Sequence, residues 1–105
     1  MPSDITTVEM LNSVKTIDFG EKILVIKFGG PWCKACKELE KEMECISDLV
    51  IFEVNVENDN FEEYITENDI YSIPYTIMIY KKNEVNFKGV RKTDELTEMI
   101  NLIKQ

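Results

Sequence analysis

The run KILVIKF, residues 22–28, is almost continuously apolar and rich in β-branched side chains. A run of this kind favours an extended strand, and because apolar groups point both ways along it, that strand must be covered on both faces. Past Lys22 at its start, Lys27 alone interrupts it. Gly29-Gly30-Pro31 ends the run, and residues 33–47 take up another period. Cys36, Leu39, Met43 and Ile46 recur at three and four, while Lys34, Lys37, Glu38, Lys41 and Glu42 fill the opposite side. This is the pattern of an amphipathic helix. A doubly covered strand feeding directly into a helix leaves few architectures open. Helices must lie above and below a sheet whose parallel neighbours are reached by right-handed crossovers.

The rest of the chain extends this alternation. Thr6-Thr7-Val8-Glu9 offers a capping box with Thr6 as N-cap and Glu9 at N3, leading a short helix to about Val14. VIFEVNV, residues 50–56, reads as a second strand, and Asp59 with Glu62 caps a short helix carrying Phe61, Tyr64 and Ile65. Ile73-Pro74 then interrupts. TIMIYK (76–81) and EVNFKG (84–89) flank Lys82-Asn83 as an antiparallel hairpin. Thr93 or Asp94 opens a terminal helix with the stripe Leu96, Met99, Ile100 and Ile103. At 105 residues the chain suits one core. The expectation is a single α/β domain over 1–105: a central mixed sheet of about four strands flanked by helices, with an extra N-terminal helix.

Composition narrows the chemistry. A formal charge of −8 without a Lys/Arg cluster argues against nucleic acid, whose phosphates need concentrated cations. Histidine is absent, which removes Ser-His and Cys-His schemes and the commonest zinc ligand. No G-x-G-x-x-G is present, so no nicotinamide or flavin site is expected. The N-terminus lacks signal-peptide regions and no stretch approaches the roughly 20 apolar residues of a membrane span. A cytoplasmic protein without membrane contact is expected. Three cysteines, an odd number without framework spacing, point away from structural staples and toward a redox or metal role for the close pair.

Cys33 and Cys36 stand three apart where the strand gives way to the helix. At a helix N-terminus, free N–H groups and the dipole favour a thiolate, and such a cysteine has its pKa lowered from about 8.5 to between roughly 3.5 and 7.5. Cys33 is therefore the candidate nucleophile. Cys36, one turn deeper on the core-facing stripe, is the shielded thiol that can attack a mixed disulfide at Cys33. A zinc site would need two further ligands and no second CxxC exists, so no metal is expected. Cys45 cannot complete it, lying nine helical residues past Cys36, about 13 Å away and on the far side of the helix. That separation also bars a disulfide. Cys45 reads as a passive packing residue, the alternative being a regulatory thiol.

VIKFGGPWCKAC (25–36), the step Ile73-Pro74-Tyr75-Thr76 and the terminal helix together resemble the thioredoxin family, over about residues 22–104. The resemblance implies a thiol-disulfide oxidoreductase that reduces protein disulfides, with Cys33 attacking, Cys36 resolving and the Cys33-Cys36 disulfide in place of a cofactor. It implies protein disulfide substrates and a thioredoxin reductase or equivalent electron donor as partners; a monomer is expected. It further implies a cis bond before Pro74, the Ile73 backbone pairing with extended substrate, and Trp32 lying flat beside the cysteines as an apolar contact. The plainer readings are that Pro74 begins an edge strand and that Trp32 packs under the helix.

Departures from the family pattern carry their own expectations. Lys34-Ala35 stands where the best-known thioredoxins have Gly-Pro. The Lys34 charge favours the Cys33 thiolate and hence a less negative potential, unless solvent screens it. Lys27 stands where thioredoxins usually hold a buried aspartate, and Glu53 where they hold its lysine partner, as if the pair were exchanged. Glu53 then becomes the expected proton acceptor for Cys36, directly or through water; the alternative is a structural ion pair or two snorkelling side chains. Tyr75 follows the proline where threonine is common, altering the groove that receives substrate. Tyr71 and Tyr80 read as ordinary sheet-edge and core aromatics. Competing functions are a binding module on the same scaffold and an oxidising or isomerising variant serving one partner.

Overall fold

A computed structural model describes residues 3–105. The chain runs β1 (Ser3–Ile5), α1 (Val8–Lys15), β2 (Ile23–Gly29), α2 (Lys34–Glu44), β3 (Leu49–Asn55), a 3₁₀ turn (Asp59–Phe61), α3 (Glu62–Glu67), β4 (Tyr75–Tyr80), β5 (Asn83–Lys88) and α4 (Thr93–Ile103). The sheet has five strands in the order β1-β3-β2-β4-β5. β1 and β2 lie parallel to β3, while β4 runs antiparallel to β2 and β5 antiparallel to β4. The expected α/β class is the one found, with one strand more. β1 escaped the sequence because three residues are too few to display a period.

β2 is central and all seven of its residues are buried, as its apolar run requires. Alternate residues serve two cores. Leu24, Ile26 and Phe28 face α1, Phe61 and Ile70. Ile23 and Val25 face Leu39 and Met43 of α2 and Leu96, Ile100 and Ile103 of α4.

Several boundaries differ from expectation for local reasons. Thr7, rather than Thr6, caps α1, its hydroxyl accepting the Met10 N–H at 3.1 Å. Thr6 instead gives its carbonyl to the Asn58 and Asn60 amides at 3.1 and 3.0 Å, tying β1 to the 3₁₀ turn. That turn is capped by Asn58, not Asp59. α2 stops at Glu44 because Ile46 N–H bonds the Met43 carbonyl in a tight turn and Asp48 takes a left-handed φ of 65°. Cys45 is consequently a C-cap and exposed, its thiol 3.8 Å from the Lys41 carbonyl oxygen, and the expected packing role is wrong. The hairpin turn is Lys81-Lys82, one residue earlier than expected, since Tyr80 pairs with Asn83. At α4 neither Thr93 nor Asp94 caps. Lys92 holds that place, its N–H donated to Glu95 at 3.1 Å, and Thr93 begins the helix proper.

Candidate active site

β2 ends at Gly29 and α2 begins at Lys34, so the cysteines sit at the carboxyl end of the central strand. This is where open α/β sheets place their ligands. Cys33 N–H bonds the Gly30 carbonyl at 3.1 Å, which closes the loop and sets Cys33 as the N-cap. Its Sγ accepts the Cys36 N–H at 3.1 Å. The two cysteines are joined as a disulfide with Cα atoms 5.2 Å apart.

Burial does not separate their roles. Cys33 is 7% exposed and Cys36 8%, so the expected contrast between an open sulfur and a shielded one is absent. Hydrogen bonding separates them instead. Cys33 Sγ holds a helix N–H that would otherwise be orphaned, and this donor stabilises negative charge on that sulfur. Cys36 Sγ faces the strand. A Cβ on Gly29 would come within 2.5 Å of it, so the sulfur occupies space that only glycine leaves. Gly30 does the same for Trp32, whose ring lies where a Cβ would project. Neither glycine was singled out from sequence, although the Gly-Gly break was visible.

Trp32 is 51% exposed beside the pair and free to meet another chain. Lys34 is exposed in the first turn of α2. The Ile73–Pro74 peptide is cis. Phe28 pairs with Tyr75, and continuing that antiparallel register sets Pro74 alongside Gly29, at the same end of the sheet as the cysteines. Pro74 is buried and its carbonyl accepts the Gly89 N–H at 2.8 Å, whereas Ile73 is half-buried. The Tyr75 ring turns away to the other face. It packs edge-on against Phe28 with centroids 5.9 Å apart, and burial raises its phenol pKa. Tyr71, expected to be an ordinary aromatic, is 75% exposed in the segment before Pro74. Tyr80 lies at the far end of the sheet with its hydroxyl donated to Glu21.

Lys27 and Glu53 are directly opposed across β2 and β3, with Nζ and Oε1 3.9 Å apart. They are unequal partners, the lysine side chain 4% exposed and the glutamate 38%. Both line a cavity of about 140 Å³ that also takes in Gly29, Cys36 and Glu40. The structure thus brings Lys27, Glu53 and Cys36 to one space large enough for water. Glu40, half-buried on α2, is a member that sequence reading missed. Among the described residues no cluster of three or more cysteine, aspartate or glutamate side chains is placed to hold a metal ion, and no helix is long and apolar enough to cross a membrane.

The Thioredoxin family model matches residues 5–102. The chain belongs to the thioredoxin family. Putative thioredoxin-4 of Dictyostelium discoideum is 35% identical over 85 residues, covering 78% of this chain and 79% of that protein. Protein disulfide-isomerase 1 of the same organism is 29% identical over 96 residues, 82% of this chain but 26% of its own length. The chain therefore spans only a minor part of the disulfide-isomerases it matches. Among solved structures, thioredoxin from Trypanosoma brucei brucei superposes with a TM-score of 0.75 at 20% identity, covering 100% of this chain and 93% of that one, a likeness of fold.

Proposed function

We propose that this thioredoxin-family domain is a thiol-disulfide oxidoreductase that reduces protein disulfides. The observation that carries the reading is the Cys33-Cys36 pair within bonding distance at the start of α2, with Cys33 Sγ holding the Cys36 N–H. In the reduced protein the Cys33 thiolate attacks one sulfur of a substrate disulfide. That S–S bond breaks, a substrate thiolate leaves, and Cys33 becomes joined to the substrate. Glu53 then takes the Cys36 proton through water in the shared cavity, and the Cys36 sulfur attacks Cys33. The Cys33–substrate bond breaks, the second substrate thiolate departs, and the protein is left as a disulfide. A separate dithiol donor, a thioredoxin reductase or its equivalent, returns two electrons.

Substrate docks on Trp32 and on the Ile73 backbone beside Pro74, and Lys34 assists the Cys33 thiolate. The Tyr75 ring, committed to the core, contributes through its backbone. A monomer working in the cytoplasm remains part of the proposal. Similarity to both thioredoxins and disulfide-isomerases supports the shared exchange chemistry and leaves net direction to the potential.

The deciding experiment is protein-disulfide turnover with dithiothreitol as donor. The wild type should accelerate reduction well above background, Cys33→Ser should abolish the acceleration, and Cys36→Ser should accumulate a covalent adduct through Cys33. A wild type no faster than dithiothreitol alone, with its pair intact, would overturn the proposal in favour of a binding module. Glu53→Gln should slow adduct resolution about tenfold or more near neutral pH, within the usual reach of general base catalysis. An unchanged rate would remove Glu53 from the mechanism.

A further inference from the structure

Three strands carry a polar row beneath α2. Lys27 on β2 pairs in register with Glu53 on β3 and with Thr76 on β4, so all three side chains project to the same face. The row is incompletely satisfied. The Lys27 side chain is 4% exposed, and the carboxylate in ion-pair reach of its ammonium, Glu53, is 3.9 Å away, beyond hydrogen-bond range, and itself 38% exposed. Thr76 Oγ1 is buried with no hydrogen-bond partner among the described residues. Buried cations and hydroxyls are costly in this condition.

The sulfur of Cys36 occupies the next place along the row. Gly29 follows Lys27 by two residues on the same face, and Cys36 Sγ sits against it. Lys27 and Cys36 also line the same cavity. In the disulfide this sulfur is neutral and offers the ammonium little. Reduction changes that, because two electrons from a dithiol donor break the S–S bond, release both sulfurs as thiolates that can take up protons from water, and leave the donor as a disulfide.

We propose that Lys27 is the counter-ion of the Cys36 thiolate, a positioning residue poorly paired while the protein is oxidised and well paired whenever reduction or the mixed disulfide leaves Cys36 without its proton. The inference rests on the Cys33-Cys36 pair cycling as described above. It adds to that reading a direction: the buried cation favours the reduced state, as a nearby opposite charge favours any anion. Glu53 acts in the other direction at equilibrium, since it competes with the thiolate for the same ammonium while serving as the kinetic proton acceptor.

Equilibration with glutathione redox buffers tests this on the intact chain. Lys27→Met keeps the length of the buried stem and removes the charge, and the partner it leaves, Glu53, is 38% exposed and can be met by solvent. It should favour the disulfide about tenfold, which for two electrons makes the potential about 30 mV more negative. Lys27→Arg, which keeps the charge, should recover most of the shift. Glu53→Gln should move the equilibrium the opposite way, toward the dithiol, and it stands as the independent test should Lys27→Met fail to fold. A structural ion pair would not give opposite signs for its two members. Reversible cycling with equilibrium constants within twofold of wild type for both variants would overturn the inference and leave the oxidoreductase reading standing. A wild-type pair that cannot be cycled at all would overturn both.

Discussion

The two faces of the central sheet are equally buried yet spend that burial differently. On the face of α1 and α3, the last positions of β2 are Ile26 and Phe28, both fully buried, with the Phe28 ring stacked on Tyr64 at 5.9 Å and met edge-on by Tyr75. On the face of α2 and α4, β2 begins in the same manner, Ile23 and Val25 packing against Leu39 and Met43, and then departs from it with Lys27 and Gly29. Among the described residues, the buried polar side chains, Lys27 and Thr76, lie under the cysteines. One face is filled for stability; the other gives up packing at its carboxyl end to bring an ion pair, a hydroxyl and a sulfur together. Such a concession is costly, and it is localised where the chemistry is.

Phe28→Ala should separate the two faces most sharply. Removing a fully buried ring with two aromatic partners should cost about 3–5 kcal/mol of stability. The glutathione equilibrium of the folded fraction should stay within about twofold of wild type, because the Phe28 side chain packs in the cluster on the face opposite Lys27 and Gly29. Denaturant unfolding and redox titration together check this. A displaced potential would mean that the faces are coupled and the contrast is false.

Gly29→Ala is the counterpart on the polar face. The added Cβ would approach Cys36 Sγ to 2.5 Å, far inside contact, so either the sulfur or the strand must move. Overpacking of this kind costs about 1–3 kcal/mol. The diagnostic effect is kinetic: adducts at Cys33 should persist, visible by mass spectrometry after quenching, since the displaced thiol can no longer reach them promptly. Normal resolution in a destabilised protein would show that the glycine matters only for packing.

What the sequence disclosed follows from how local each determinant is. The apolar run of β2, the helical stripe of α2 and the cysteine spacing are periodic or contiguous, and they predicted the fold class and the position of the pair. The Lys27-Glu53 pairing was legible through the resemblance to thioredoxins, and a charge inside each of two strand patterns, costly if buried alone, supports it. Other features depend on groups that only tertiary structure brings together. Three residues of β1 carry no period, and Thr6 lost its capping role because two asparagines over fifty positions away claim its carbonyl. Thr76 looked like an ordinary strand threonine, and its solitary hydroxyl becomes visible only beside Lys27. Equal burial of the two cysteines also went unforeseen, because the first turn of α2 folds Cys33 back against its own N–H groups.

A smaller effect tests whether every polar contact beneath α2 and α4 serves the cysteines. Glu42, near the far end of α2, accepts the Thr93 N–H and hydroxyl at 2.7 and 2.8 Å, while its own carbonyl takes the same hydroxyl at 3.0 Å. These bonds fasten α2 to the start of α4. The Thr93 hydroxyl first, and its N–H second, hold the Glu42 carboxyl below its ordinary value of 4.5. A carboxyl depressed in the folded state stabilises the protein above its unfolded pKa, and that contribution fades as pH falls through the folded value. Wild-type melting temperature should therefore decline through the acid range below 4.5, and Glu42→Gln should lower it slightly at neutral pH and flatten this part of the decline. The variant's glutathione equilibrium should not move, because the bonds lie at the opposite end of α2 from Cys33. An unaltered acid profile would show that other carboxylates carry the decline. A shifted potential would instead extend the redox-sensitive region along the whole helix and redraw the boundary between packing and chemistry on this face.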